Sequence, residues 1–216
     1  VTGECNDSYL NSMRNMAVRP EHAISAIENA HAGSVEQGAV GAGKGMVCFG
    51  FKGGIGSASR LAETDEHAYT VGCLVLTNFG KPEHALFADW TPQDTKMPDG
   101  SIMIILATDA PLYDRQLKRL AKRSGAGLAR TGSIIANGSG DIAIAFSTAQ
   151  TVSRGSGSTE KMHFIPDDNP LMDKLFQAAV ETTEASIMNA LLHAETTQGR
   201  KGRIVKKAPL PNVKSD

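Results

Sequence analysis

The sequence predicts a mixed α/β (α+β) fold, a layered sandwich with helices outside and two sheets inside. Three observations lead there. Several segments are apolar on both faces, as strands buried on both sides must be. Two long segments repeat their apolar residues at helical spacing, so each has one stripe to bury against a sheet. The order of these segments is not a clean strand–helix alternation, which disfavours a doubly wound sheet. With 216 residues, 41% hydrophobic and 21% charged, the chain is one large domain able to bury a substantial core. It shows neither an internal repeat nor a boundary that would split it.

In chain order, Pro20 to His31 places Ala23, Ile24, Ile27 and Ala30 on one helical face, with proline in the first turn. Val35 to Ser59 is rich in glycine yet encloses Met46-Val47-Cys48-Phe49-Gly50-Phe51, read as a strand. Tyr69 to Phe79 is a second strand, carrying Val71, Cys73, Leu74, Val75 and Leu76. Lys81 to Pro98 holds Pro82, Pro92 and Pro98 among polar residues and reads as a surface linker. Ser101 to Thr108 is a third strand. Leu112 to Leu128 is an amphipathic helix: Leu117, Leu120, Ala121 and Leu128 face inward, while Arg115, Lys118, Arg119, Lys122 and Arg123 face out.

Gly140 to Ala149 is a fourth strand, with Ile142, Ile144 and Phe146 alternating against alanines, and Ser153 to Ser158 is a Gly/Ser loop. Asn169-Pro170 opens a long helix, asparagine as cap and proline at the first position, which Gly199 closes.

Composition excludes several function classes. A net charge of −1 gives no electrostatic case for a nucleic-acid or anionic-membrane partner, and the basic stretch from Arg200 to Lys214 lacks aromatics. No window approaches the roughly 20 apolar residues of a membrane span. Cys5, Cys48 and Cys73 are odd in number and imply no disulfide framework, and the six histidines lack zinc-type spacing, so no metal is expected. The chain opens on Val1-Thr2-Gly3-Glu4, which reads like the interior of a protein, so an N-terminal segment is expected to precede it.

Four polar segments carry candidate chemistry. Asp99-Gly100-Ser101 runs directly into Ile102-Met103-Ile104-Ile105-Leu106. Cleavage between Gly100 and Ser101 would leave a serine with a hydroxyl nucleophile and an α-amine, a base whose ordinary pKa is about 7.7–8.0. Asn137-Gly138-Ser139-Gly140-Asp141 puts a hydroxyl and a carboxylate two residues apart at a strand mouth, where Ser139 could link Asp141 to another hydroxyl. Asn78, ending a strand, has an amide suited to an oxyanion donor. Glu4-Cys5-Asn6-Asp7 is the fourth. Taken alone, each of the first three reads more readily as a turn than as a site.

The stretch from Gly38 to Gly45 fits a phosphate-binding loop as far as Lys44, but Gly45 replaces the Ser/Thr that binds Mg²⁺. It also precedes a strand rather than a helix. It therefore reads as a tight turn where backbones approach closely, as does Gly53-Gly54-Ile55-Gly56.

Together these segments resemble the DmpA-type aminopeptidases, a family that includes the β-aminopeptidases and the L-aminopeptidase/D-esterases. The resemblance runs through nearly the whole chain in order. It is carried by Phe51-Lys52-Gly53-Gly54-Ile55-Gly56-Ser57-Ala58-Ser59-Arg60, Tyr69-Thr70-Val71-Gly72 and Asn78-Phe79-Gly80. It continues in Asp99-Gly100-Ser101-Ile102, Ala107-Thr108-Asp109-Ala110-Pro111-Leu112 and Gln116-Leu117-Lys118-Arg119-Leu120-Ala121. Ala129-Arg130-Thr131-Gly132-Ser133, Asn137-Gly138-Ser139-Gly140-Asp141 and Phe176-Gln177-Ala178-Ala179-Val180-Glu181 complete it.

The resemblance implies a four-layer αββα sandwich, similar to the ornithine acetyltransferases. It also implies a precursor that cuts itself at Gly100–Ser101. Residues 1–100 would then belong to the α fragment and 101–216 would form the β fragment, within one domain. It implies Ser101 as nucleophile, Ser139 and Asp141 as its assistants, Asn78 as oxyanion donor, and Glu4 and Asn6 in the substrate pocket. No cofactor is implied. The implied substrates are short peptides, amides or esters, and the implied assembly is a homotetramer of processed units. Asp141 stands where some members have glutamate, Lys44 where threonine is usual, and the linker before Asp99 is shorter. The last two departures, at Lys44 and in the linker, bear on substrate preference more than on chemistry. The rival readings are an acyltransferase, against which a serine rather than threonine nucleophile argues, and an unprocessed binding or scaffold protein.

Overall fold

In the computed structural model, residues 3, 5–86, 100–152, 154–155, 159 and 161–209 are described. Most of the 81–98 linker, most of the 153–158 loop, Glu4 and the end of the basic tail lie outside them. The elements are α1 (Pro20–Glu28), β1 (Val47–Cys48), β2 (Phe51–Lys52), β3 (Ile55–Glu63), β4 (Ala68–Asn78), β5 (Ser101–Thr108), α2 (Asp114–Arg130), β6 (Ile142–Ser147), α3 (Leu171–Leu192), β7 (Thr197–Gln198) and β8 (Ile204–Val205).

The scaffold is a four-stranded sheet in the order β3-β4-β5-β6. The first two pairings are antiparallel and the last is parallel. The parallel pair is joined through α2, the crossover that parallel strands require. α2 and α3 pack against each other on one face of the sheet. Towards them point Val71, Cys73 and Val75 of β4 and Ile102, Ile104 and Leu106 of β5, all buried, meeting Leu120, Leu128, Leu175, Ala179 and Ile187 of the helices. The opposite face carries exposed Leu61, Ile142 and Phe146, the kind of apolar face that another layer of a sandwich covers. The short β1–β2 and β7–β8 pairs are the only other sheets among the described residues.

Several elements depart from the sequence expectation. Met46 to Phe51 is a hairpin, not a strand: Phe49 and Gly50 have φ of +50° and +79°, and the chain reverses between β1 and β2. Phe49 is nonetheless wholly buried, its ring edge-on to Phe79 at 5.1 Å. Ile55-Gly56 is not a turn but the start of β3, a strand the sequence hides behind small polar residues. A Cβ on Gly56 would lie 1.9 Å from Ser186 O, so glycine there lets α3 close on the sheet.

α1 forms, but Ile24 and Ile27 on its apolar face are exposed. Arg119 and Arg123 do not simply face out; their guanidinium groups lie over the Phe176 ring, 4.9 and 4.3 Å from its centre. α3 starts as expected, with Asn169 Oδ1 accepting from Leu171 N at 2.9 Å, but it ends at Leu192, well before Gly199. No helix among the described residues is long and apolar enough to cross a membrane.

Candidate active site

Strand register brings three of the polar segments to one edge of the sheet. β4 ends where β5 begins, with Asn78 opposite Ser101. β6 runs parallel to β5 with Ile142 opposite Met103, so the 137–141 segment reaches the same edge. Ile102 points into the helix-covered core, and side chains alternate along a strand. Ser101 and Asn78 therefore stand on the face turned away from α2 and α3.

Ser101 Oγ accepts a hydrogen bond from Gly140 N at 3.0 Å. Asp141 Oδ1 accepts from Ile102 N at 3.1 Å and from the Ser139 hydroxyl at 2.5 Å. Ser139 Oγ is also within 2.9 Å of Gly100 O, the carbonyl of the peptide bond that joins Gly100 to Ser101. A hydroxyl has one proton, so Ser139 either donates to the carboxylate or turns it on the carbonyl. Asp141 Oδ2 is buried without a hydrogen-bond partner among the described residues, which leaves an acceptor in reserve at the site.

Asn78 is buried and held from two sides. Its Oδ1 accepts from Val47 N at 2.9 Å, and its Nδ2 donates to Asn6 O at 3.0 Å. Since Val47 N can only donate, the amide orientation is fixed, and one Nδ2 hydrogen has no partner among the described residues. Asn6 reaches the site through its backbone carbonyl; its side chain accepts instead from Ser8 N at 2.9 Å. Glu4 falls outside the described residues. Cys5 Sγ lies 3.7 Å from Ser101 O and 3.8 Å from Leu76 O.

Gly100 has no left-handed φ. Glycine serves a different need there: a Cβ would sit 1.7 Å from Asn78 O, so its absence permits close approach of two backbones.

The remaining thiols are poor alternatives as nucleophiles. Burial pushes Cys48 up to about 12, and Cys73 up to about 11 against the lowering effect of hydrogen bonds from Thr183 and Ser186. Among the described residues no group of three or more His, Cys, Asp or Glu could hold a metal ion.

Two features of the site had no sequence signal. The Gly140 N–H is a backbone donor and carries no residue signature. Lys52, wholly buried close to Asn78's support, reads in sequence as an ordinary surface charge.

The sequence model of peptidase family S58 matches residues 1–205 of the chain. A β-peptidyl aminopeptidase, BapA of Sphingosinicella microcystinivorans, is 41% identical over 97% of this chain and 58% of its own length. The PH0078 protein of Pyrococcus horikoshii superposes with a TM-score of 0.85 at 46% identity, over 95% of this chain and 58% of that one. The L-aminopeptidase D-Ala-esterase/amidase of Ochrobactrum anthropi, described as a prototype for the serine aminopeptidases and a new variant of the Ntn hydrolase fold, gives a TM-score of 0.83. It is 34% identical, over 94% of this chain and 58% of that one. The chain thus spans somewhat over half the length of the relatives it matches.

Proposed function

The chain belongs to peptidase family S58, and on that premise we propose that it is part of a self-processing serine aminopeptidase with Ser101 as its nucleophile. The observation that carries the reading is the convergence of Ser101, Ser139 and Asp141 around the Gly100 carbonyl. In the uncut chain, Ser101 Oγ attacks the Gly100 carbonyl carbon while the Ser139 hydroxyl holds the developing oxyanion. The C–N bond breaks, the Ser101 nitrogen leaves as an amine carrying the proton that Oγ gave up, and water hydrolyses the ester to give a Gly100 carboxylate and a free Ser101. Attack within one chain replaces an encounter between molecules, an advantage of roughly 7–11 kcal/mol when the geometry is right.

Residues up to 100 then belong to one fragment and those from 101 to the other. In the processed enzyme, Ser101 Oγ attacks the first peptide, amide or ester bond of a short substrate. The spare Nδ2 hydrogen of Asn78 donates to the oxyanion, a contribution typically worth about 10²–10³ in kcat. The Ser101 α-amine or the Ser139–Asp141 pair takes the proton, and water then releases the aminoacyl group. The pocket for that group is assigned to the segment around Asn6, whose carbonyl meets Asn78; Glu4 is assigned to it by the resemblance alone. Association of processed units into a homotetramer belongs to the same reading; the solution mass of the purified enzyme tests it.

The test is release of nitroaniline from aminoacyl p-nitroanilides by the full-length protein and by its Ser101→Ala variant. The proposal expects turnover by the first and none by the second. A Ser101→Ala protein that hydrolyses these substrates at the wild-type rate overturns it.

A further inference from the structure

Among the described residues Lys52 is the only fully buried charged side chain, and no carboxylate pairs with it; its titratable neighbours are Cys48 and Lys44. Its three ammonium hydrogens are matched by three backbone carbonyls, Gly43 O at 2.6 Å, Gly53 O at 2.8 Å and Met46 O at 2.9 Å. Glycine makes this cradle possible. A Cβ on Gly43 would lie 2.5 Å from Gly38 O, and one on Gly53 2.4 Å from Thr77 O, so larger residues would hold the carbonyls apart. The glycine-rich stretch that looks briefly like an anion-binding loop in sequence thus wraps a cation, with carbonyls rather than N–H groups turned inward.

An apolar residue would fill this space without the desolvation penalty of a charge, so the charge calls for a use. Met46 O and Val47 N belong to one planar amide. Lys52 pins the oxygen end of that plane, and Gly53 N donates to the same oxygen at 3.1 Å. The nitrogen end donates to Asn78 Oδ1. An ammonium, a peptide plane and the Asn78 carboxamide therefore form one hydrogen-bonded chain, in which each bond polarises the next. Its free end is the spare Nδ2 hydrogen.

We infer that Lys52 is a positioning residue for the oxyanion donor: through the Met46–Val47 peptide it fixes the Asn78 carboxamide and strengthens its N–H as a donor. This rests on the reading of Asn78 given above. Among the described residues the Lys52 ammonium bonds to three carbonyls and not to Ser101, so its effect on the reaction passes through Asn78.

The experiment measures kcat and KM for an aminoacyl p-nitroanilide with the full-length processed protein, comparing wild type, Lys52→Met, Lys52→Gln, Asn78→Ala and the Lys52→Met/Asn78→Ala double variant. Lys52→Met should lower kcat by about 10–100-fold, a part of what loss of the donor itself costs, with KM changed by no more than about twofold. Lys52→Gln keeps a donor for one carbonyl, carries the test if Lys52→Met does not fold, and should fall between wild type and Lys52→Met. In the Asn78→Ala background, Lys52→Met should cost no further factor beyond about twofold, because residues acting as a unit are not additive. A purely structural lysine would instead slow both backgrounds equally. Asn78→Ala slowed beside unchanged Lys52 variants, or full multiplication of the two effects, overturns the inference alone. Asn78→Ala at full kcat overturns the reading of Asn78, and the inference falls with it.

Discussion

Replacing Gly100 by alanine places a methyl carbon 1.7 Å from Asn78 O, 2.7 Å from the Asn78 carbonyl carbon and 3.2 Å from Phe79 Cα. Contacts of Cβ below 3.0 Å are essentially never seen, so the two backbones must separate by about 1.3 Å. None of the three atoms belongs to a flexible side chain that could swing aside. Asn78 and Ser101 are register partners, so the movement lands on the nucleophile and on the carbonyl that Ser139 must reach. A misplacement of about 1 Å is enough to cost about 10²-fold in rate. The overpacking itself costs about 1–3 kcal/mol of stability, which a core of this size tolerates.

The assay follows the uncut fraction by denatured intact mass after a pulse of synthesis. Melting temperatures of Ser101→Ala and Gly100→Ala/Ser101→Ala proteins, both locked uncut, separate slow cutting from poor folding. The account expects Gly100→Ala to fold and to cut itself about 100-fold more slowly than wild type. Cutting at the wild-type rate would refute the argument from close approach.

Two further outcomes concern stability. Burial pulls Lys52 from 10.5 down to about 8, with Cys48 opposing the shift and Lys44 adding to it. The folded pKa is the lower one, so between about pH 8 and 10.5 the folded chain has shed a proton that the unfolded chain keeps. The cost of burying the charge is thus present below that window and fades across it. Wild type should gain about 3 kcal/mol relative to Lys52→Met across the window, read from urea midpoints at either end; a flat difference would contradict the burial argument. At the helix–sheet contact, Gly56→Ala sets a Cβ 1.9 Å from Ser186 O and 2.7 Å from Ala190 N, both backbone atoms of α3. It should destabilise by at least about 1–3 kcal/mol in the same assay, and an unchanged midpoint would mean that α3 does not pack as closely as described.

Much of the site was legible in sequence because its chemistry sits where strands begin and end. Ser101 heads an apolar strand, Asn78 ends one and Asp141 precedes one, and their convergence follows from register alone. The long helices were legible from apolar spacing, and the start of α3 from Asn169-Pro170. What stayed hidden depends on contacts distant in sequence. β3 carries Gly56-Ser57-Ala58-Ser59, too small and polar to read as a strand, because α3 presses on it. Phe49 takes a left-handed turn position that its side chain argues against, and buried contact with Phe79 and other core residues holds it there. Lys52 has no local mark of burial, since the carbonyls around it come from backbone folding. Arg119 and Arg123 keep the charge pattern of an exposed face while covering an aromatic ring.

The central claim is that Ser101 becomes a free N-terminal nucleophile by attack on Gly100. The most direct measurement is the denatured intact mass of the full-length protein from its own gene, beside its Ser101→Ala variant, with N-terminal sequencing of every fragment. The account predicts a wild-type fragment beginning Ser101-Ile102-Met103 and a Ser101→Ala chain of one uncut mass. A wild-type chain that stays whole, or a Ser101→Ala chain still cut after Gly100, would contradict it.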